Sequence, residues 1–300
     1  MASSKYRPDE LVDPSPSALI ESLRSVGYNT PTAVADIVDN SISAGAKHIE
    51  IVFHWSNGKP FVTLADNGTG MSEEELTEAM RAGSRSPLDH RKPNDLGRFG
   101  LGLKTASFSQ ARGLTVFTKQ KDSPQYLRCW DLDYVESKKT WRLLKDPHDS
   151  LTGYISPLLE PQNGTVVVWS NLDRLLRRDD RDSEGSARTN FNLVIRDVSS
   201  HLSMVFHRFL SGEAGLTRKI TIKVNGTAVH PWDPFALSHP ATQNLGASDL
   251  EFQNSPVDLV GYVLPHKSKL TPDEFENFGG RRGWSGQQGF YVYRNHRLLV

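Results

Sequence analysis

Two short stretches of the sequence place an acid beside groups that could bind a ligand. Asp36 and Asn40 lie four residues apart in a stretch with helical periodicity, so the carboxylate and the amide point in the same direction. Asp66 ends a short apolar run and is followed by Gly68 and Gly70. An acid at a strand end followed by two glycines places a carboxylate beside backbone that a ligand can approach closely. A solvated helix face and an ordinary turn are the alternatives that these residues alone leave open.

A third stretch, residues 97–104, is rich in glycine and lies in a basic part of the chain. Between residues 81 and 104 there are six Lys or Arg residues and two Asp residues. Glycines that lead into a helix N-terminus present N–H groups and the positive end of the helix dipole to a phosphate. The alternative is a solvated basic loop with a glycine turn. A P-loop is excluded, because Leu103 separates Lys104 from the last glycine and because no strand precedes the loop.

The overall composition predicts a soluble cytoplasmic protein. The 35 basic and 35 acidic residues cancel, so net charge argues neither for nor against nucleic acid as a partner. The one cysteine, Cys129, excludes an internal disulfide framework and is typical of a reducing compartment. No apolar run approaches the ~20 residues of a membrane span, and the first residues lack the apolar core of a signal peptide. The chain stops within a predicted hairpin, which suggests that it is part of something longer.

Hydrophobic periodicity and turn residues predict an α+β sandwich rather than a repeating βαβ sheet. Ser15-Pro16 and Thr30-Pro31 begin two helices, and Ser72 with Glu75 forms a capping box at the start of a third. Further elements are predicted as strands at 49–55, 61–65, 114–118, 126–132, 165–170, 219–224 and 227–230, and as a helix at 191–210. The stretch 172–190 is dense in charge and is interpreted as a linker or surface loop. We therefore place a domain boundary between residues 185 and 186.

Four motifs, taken in order, resemble the ATP-binding motifs of the GHKL superfamily, which contains gyrase B, the ninety-kilodalton heat-shock chaperones, sensor histidine kinases and MutL. They lie at residues 36–45, 66–71, 97–104 and 163–165. The Gly-x-Gly-x-Lys ending of the third motif and the Asp-Asn-Ser-x-x-Ala-Gly-Ala pattern of the first are most similar to MORC-type ATPases and their bacterial relatives. The resemblance implies a Bergerat fold, with helices over an antiparallel or mixed sheet, in residues 1–185. Residues 186–300 then resemble the start of a transducer-like (S5-like) α+β domain that is incomplete.

The resemblance assigns roles to individual residues. Asp66 is expected to accept a hydrogen bond from the adenine amino group, Thr165 to support that contact, and Gly70 to let the base approach the backbone. Asn40 is expected to ligate Mg²⁺, and Lys104 to add positive charge beside the phosphates. The other residues that the resemblance implies in ATP binding are Gly68, Met71, Gly97, Phe99, Gly100, Leu101 and Gly102. Residues 82–99 would form a lid that closes over ATP.

The resemblance gives Asp36 the role of the catalytic base that orients and deprotonates the attacking water. Most ATPases of the superfamily carry Glu at this position. Because Asp is shorter by one methylene, we expect slow hydrolysis. A nucleotide-binding regulatory module without turnover is the competing hypothesis. The lysine that reaches the γ-phosphate in relatives has no clear equivalent before Val300, so it is expected beyond the end of this chain.

The resemblance also implies an ATP-driven clamp, in which ATP closes the lid, two subunits form a homodimer and hydrolysis reopens it. DNA and a downstream effector domain or protein are the expected partners, in DNA-related processing or bacterial defence, and no membrane is involved. A sensor histidine kinase is disfavoured, because too few residues precede the first predicted helix to form a phosphoacceptor helix pair.

Overall fold

A computed structural model describes residues 14–25, 27–55, 59–83, 102–146, 163–175, 184–213, 219–252, 255–280 and 283–299. The helices of these residues are α1 (Pro16–Arg24), α2 (Thr30–Ser43), α3 (Glu73–Met80), α4 (Gly102–Phe108), α5 (Leu132–Lys138), α6 (Glu184–Val205), α7 (His207–Ser211), α8 (Pro272–Gly279) and α9 (Gly283–Gly286), with a 3₁₀ turn at Lys267–Lys269. The strands are β1 (His48–His54), β2 (Phe61–Asp66), β3 (Gly113–Lys119), β4 (Gln125–Asp131), β5 (Gly164–Ser170), β6 (Thr221–Val224), β7 (Thr227–Ala228), β8 (Gln243–Phe252), β9 (Ser255–Val263), β10 (Tyr293–Arg294) and β11 (Arg297–Leu298).

A mixed sheet is the centre of the fold. Within the described ranges it has seven strands in the order β4-β3-β5-β2-β1-β6-β7. Neighbouring strands run antiparallel except β1 and β6, which run parallel. Helices α4 and α6 each pack against α2, and the buried apolar side chains of the three helices form one core with one face of the sheet. The predicted α+β sandwich, with helices over an antiparallel or mixed sheet, is therefore confirmed.

The alternation of side chains along β2 directs Asp66 toward the helices. Val62 and Leu64 belong to the core shared with the helices, whereas Phe61 and Ala65 belong to a separate cluster on the other face. Because successive side chains of a strand point to opposite faces, Asp66 lies on the same face as Val62 and Leu64. The strand thus ends with a carboxylate under the helical layer.

Helix α2 supplies the opposite wall. The side chain of Asn29 accepts a hydrogen bond from the Thr32 N–H at 2.9 Å, which caps the helix. The buried residues of α2 are Ala33, Val34, Ala35, Ile37, Val38, Asp39 and Ser41. Asp36 lies at the border of this buried face and Asn40 is exposed. The predicted helix is confirmed, as is the capping box of α3, where Ser72 and Glu75 exchange hydrogen bonds.

Several predicted boundaries differ from the structure, and the causes of two of them are local. The predicted strand 126–132 ends at Asp131, because the Asp131 side chain accepts a hydrogen bond from the Tyr134 N–H and caps α5, which was not predicted. Helix α6 begins at Glu184, inside the stretch interpreted as a linker. Between residues 185 and 189 only Ala187 is buried, so the first turns of α6 carry no apolar periodicity.

The β10–β11 hairpin is held against α7. The His207 imidazole and the Tyr293 hydroxyl are hydrogen-bonded at 2.8 Å, and the guanidinium of Arg208 lies 3.7 Å from the centre of the Tyr293 ring. Strands β6 and β7 also follow residue 186 and yet join the sheet beside β1. The boundary at 185/186 stays a prediction. No helix of the described ranges is long and apolar enough to cross a membrane.

Replacing His207 with Gln should flatten the acid side of the stability profile. Burial lowers the pKa of His207 from 6.5 to about 4. In the unfolded chain the His207 imidazole is protonated near pH 6.5, whereas in the folded chain it is protonated only near pH 4. The free energy of unfolding therefore decreases as the pH falls from about 6.5 to about 4. The free energy of unfolding, measured with urea from pH 4 to 8, should therefore decline less steeply in His207→Gln than in the wild type. His230→Gln, which removes an exposed imidazole, is the control, and parallel profiles for wild type and His207→Gln would contradict the assignment.

Candidate functional site

Asp66 is held by donors from three segments: α2, the loop after β2 and, through the Thr165 backbone N–H, strand β5. One carboxylate oxygen accepts a hydrogen bond from the Ser41 hydroxyl of α2 at 2.9 Å, and the other accepts one from the Gly68 N–H at 2.8 Å. Burial raises the pKa of Asp66, and these hydrogen bonds oppose the rise. Since a carboxylate has about four acceptor positions, Asp66 keeps capacity for a further donor. The geometry therefore provides a fixed, half-buried hydrogen-bond acceptor.

The loop after Asp66 is tied to strands β3 and β5. The Met71 N–H donates to the Thr118 hydroxyl at 2.8 Å, and that hydroxyl lies 3.2 Å from the Thr165 hydroxyl. Thr165 is also the direct neighbour of Asp66 in the β2–β5 ladder. The Asn163 side chain donates to the Gly68 carbonyl at 2.5 Å. The second and fourth motifs of the sequence analysis therefore meet at one place.

Asp36 faces the N-terminal end of α4. A Cβ atom at Gly102 would lie 3.9 Å from one oxygen of the Asp36 carboxylate. The Tyr28 hydroxyl donates a hydrogen bond to Asp36 and is itself hydrogen-bonded to Thr105 of α4. Burial raises the pKa of Asp36, and the Tyr28 hydrogen bond opposes the rise. The first motif thus meets the end of the third, with exposed Asn40 one helical turn beyond Asp36.

A second pair of contacts reaches α2 from the β10–β11 hairpin. The Arg297 guanidinium lies 2.6 Å from a carboxylate oxygen of Asp39 and 3.7 Å from one of Asp36. Burial raises the pKa of Asp39 to about 7, and the charge of Arg297 opposes that rise. Two neighbouring carboxylates of α2 therefore share one cation from a distant part of the chain.

Lys104 is placed differently from the other predicted site residues. Its ammonium donates a hydrogen bond to the Ala79 carbonyl at 2.8 Å, and the side chain is buried. Ala79 lies in the last turn of α3, where carbonyl groups attract a cation. The predicted contact of Lys104 with phosphate stays a prediction. Gly97, Phe99, Gly100 and Leu101 lie outside the described residues, so their predicted roles also stay predictions.

Sequence reasoning missed four residues of the site: Tyr28, Ser41, Thr118 and Arg297. Ser41 carried a usable signal, because it falls among the apolar residues of α2, where a hydroxyl needs a partner. Thr118 sits similarly within the apolar strand β3. Tyr28 and Arg297 gave no signal, since nothing in their local sequence indicates contact with Asp36. Among the described ranges, no group of three or more His, Cys, Asp or Glu side chains could hold a metal ion.

Comparison with known proteins gives a family and several relatives. Residues 28–165 match the family described as "Histidine kinase-, DNA gyrase B-, and HSP90-like ATPase". ATPase morc-1 of Caenorhabditis elegans is 35% identical over 89 residues, which are 30% of this chain and 10% of that protein. Structural maintenance of chromosomes flexible hinge domain-containing protein 1 of Mus musculus is 29% identical over 133 residues, covering 36% of this chain and 7% of that protein. DNA mismatch repair protein MutL of Azorhizobium caulinodans is 29% identical over 112 residues, covering 36% and 18%. The chain thus spans less than a fifth of the length of each of these relatives.

Gly70→Ala should destabilise the site loop more than a matched change elsewhere. Gly70 has φ +70°, and a Cβ atom there would lie 2.0 Å from the Lys119 carbonyl oxygen. We expect the free energy of unfolding to fall by about 2–5 kcal/mol, the sum of left-handed strain and overpacking. Gly226 has φ +77° with no described heavy atom within 4 Å of its Cβ position, so Gly226→Ala should cost only about 1–2 kcal/mol. Equal losses in the two variants, measured by chemical denaturation, would show that crowding at Lys119 is absent.

Proposed function

Because residues 28–165 belong to the family of histidine kinase-, DNA gyrase B- and HSP90-like ATPases, we propose that this chain binds ATP with Mg²⁺ and hydrolyses it slowly. The GHKL resemblance that the four motifs predicted is confirmed, together with the α+β sandwich of a Bergerat fold. The main support for the proposal is that the sequence motifs meet in the fold. The acceptor Asp66 contacts Ser41 near the end of α2, and the base candidate Asp36 lies on α2 itself and faces Gly102.

Asp66 is the proposed adenine-recognition residue. Its carboxylate is fixed by Ser41 and Gly68 and lies under the helical layer. The exocyclic amino group of adenine would supply the further donor that the carboxylate can accept. A purine without that donor leaves a half-buried acceptor unpaired, which costs about 1–3 kcal/mol. This cost is the physical basis for selecting ATP.

The phosphates are proposed to lie between α2 and the start of α4. Gly102 carries no side chain toward Asp36, which leaves room for a ligand beside the carboxylate. The exposed amide of Asn40 is an oxygen donor of the kind that Mg²⁺ prefers, so it fits the predicted ligand role. When bound, Mg²⁺ would neutralise phosphate charge. Gly97, Phe99, Gly100, Leu101 and Lys104 are proposed to complete the phosphate end.

Asp36 is the proposed general base. The Tyr28 hydroxyl and Arg297 contact its carboxylate and so fix its orientation beside Gly102. A base in this position would take a proton from water that attacks the terminal phosphate. Its side chain is one methylene shorter than Glu, so the water must lie closer or be reached through a second water. Slow turnover follows from that length.

A regulatory module that binds ATP without turnover is the second candidate. It is favoured by the same contacts, because Asp36 is both short and already engaged by Tyr28 and Arg297. A carboxylate committed to these partners holds water less well than one that is free to turn. The two candidates share the nucleotide site and differ only at Asp36.

The output is proposed to be an ATP-dependent clamp. ATP would close residues 82–99, of which 84–99 lie outside the described residues, as a lid and bring two subunits together. The transducer-like residues 186–300 would carry the change onward. The relatives include a DNA mismatch repair protein and a protein named for chromosome maintenance, which supports action on DNA. DNA-related processing or bacterial defence, with a downstream effector, is the setting we propose.

Asp66→Asn should lose ATP binding and, with it, ATP-dependent dimerisation. The amide keeps the size of the carboxylate but presents an NH₂ group where acceptors are needed, so affinity should fall by at least about tenfold. Titration calorimetry with a non-hydrolysable ATP analogue and sedimentation with the same analogue, each with and without DNA, measure the two effects. Asp249→Asn, on exposed strand β8, is the matched control. Wild-type affinity in Asp66→Asn would refute the adenine assignment.

Asp36→Asn should abolish phosphate release while sparing ATP binding. Loss of a general base costs about 10²–10⁴-fold in rate, whereas an isosteric amide leaves the affinity nearly unchanged. Asp36→Glu restores the usual length of the family's residue and should raise turnover above the wild type. If the wild type releases no phosphate and Asp36→Glu does, the regulatory module is the correct function. Unchanged turnover in Asp36→Asn would remove Asp36 as the base.

A further inference from the structure

Arg297 joins the last described hairpin to the helix that carries the site. Its guanidinium contacts Asp39 at 2.6 Å and Asp36 at 3.7 Å. The exposed fractions of the three side chains are 14% for Arg297, 9% for Asp39 and 23% for Asp36. Solvent screens ion pairs between such poorly exposed side chains far less than it screens surface pairs. Removal of one member of the cluster would leave an unpaired buried charge, which is energetically costly.

The hairpin presents Arg297 from a fixed position. Tyr293, in the partner strand β10, is bonded to His207 and stacked by Arg208 of α7. The Arg297 guanidinium lies 5.8 Å from the centre of the Phe206 ring, next to the end of α6. Helix α6 in turn packs on α2. The cation and the two carboxylates are therefore held by one continuous set of packed elements.

The shape of the guanidinium suits two acceptors. Arginine offers donors in a planar fork, so Nε and Nη2 can face two carboxylates at once. A lysine ammonium is a compact charge on a flexible stem and would hold one carboxylate well and the other poorly. Both contacts are ion pairs, and the separation of Nε and Nη2 across the planar fork lets one guanidinium face both carboxylates.

We propose that Arg297 is a positioning residue that holds Asp36 toward Gly102 and makes turnover depend on the seating of the β10–β11 hairpin. The proposal rests on the proposed ATP hydrolysis at Asp36. Asp39 serves as the anchor, because its closer and more buried pair with Arg297 fixes the guanidinium from which Asp36 takes its orientation. Displacement of the hairpin would withdraw the cation from both carboxylates together. The transducer-like part of the chain would then control the rate of ATP hydrolysis through Arg297, an arginine that contacts the proposed base Asp36.

Turnover of Arg297 variants tests this role. Arg297→Met removes the charge and keeps an unbranched stem, and we expect kcat to fall about tenfold with KM and Kd for ATP within about twofold. Arg297→Lys keeps the charge without the fork, and its kcat should lie between those of Met and wild type. Arg142→Met, at an exposed site after α5, is the matched control and should keep wild-type kcat.

Each result either supports or overturns the proposal. Wild-type kcat in Arg297→Met overturns it, and so does a loss confined to KM. If Arg297→Met does not fold, Arg297→Lys decides, since wild-type kcat without the fork is incompatible with positioning. If the wild type itself releases no phosphate, hydrolysis fails as a function, and unfolding measurements decide the inference separately. Arg297→Lys and Asp36→Asn should then be non-additive in unfolding free energy, and strict additivity would overturn the contact.

Discussion

The need to pair half-buried carboxylates governs the arrangement of this molecule. Asp36 and Asp39 lie on α2 and Asp66 lies beneath it, where desolvation penalises each negative charge. Their partners come from separate places: Ser41 of α2 itself, the Gly68 backbone after β2, and Arg297 of the terminal hairpin. Folding must bring these segments together, because each carboxylate left alone in the interior would cost more than it contributes.

The same pairing separates the two ends of the site. Asp66 accepts from neutral donors, so it presents a fixed acceptor that suits an amino group. Asp36 lies beside the Arg297 guanidinium and the Tyr28 hydroxyl, and these groups stabilise its negative charge where a proton transfer is proposed. Recognition and chemistry are thus proposed for two acids of the same type, Asp66 at the end of β2 and Asp36 on α2, and the difference lies in what surrounds them.

The structural features that the sequence predicted correctly are those determined by residues close together in the chain. The period of β2 and the Ser72 capping box depend on neighbours within a few residues, and both are confirmed. The α+β class followed from hydrophobic periodicity and turn residues, and the Bergerat fold was implied by four motifs whose order is readable along the chain. Arg297 could not be placed, since its contact with Asp39 depends on how α6, α7 and the hairpin pack. The start of α6 was missed because its first turns bury little apolar surface.

The parallel pairing of β6 with β1 has a consequence for how the chain can be divided. The family match ends at residue 165, yet the sheet continues through β6 and β7. A fragment cut at residue 165 would lose most of β5 from the middle of the sheet and would also leave β1 as an unpaired edge, with N–H and C=O groups open to pairing with another copy. Strand β6, which follows the family match, therefore protects the edge of β1 within the match. The solubility of the ATP-binding part depends on this strand outside it.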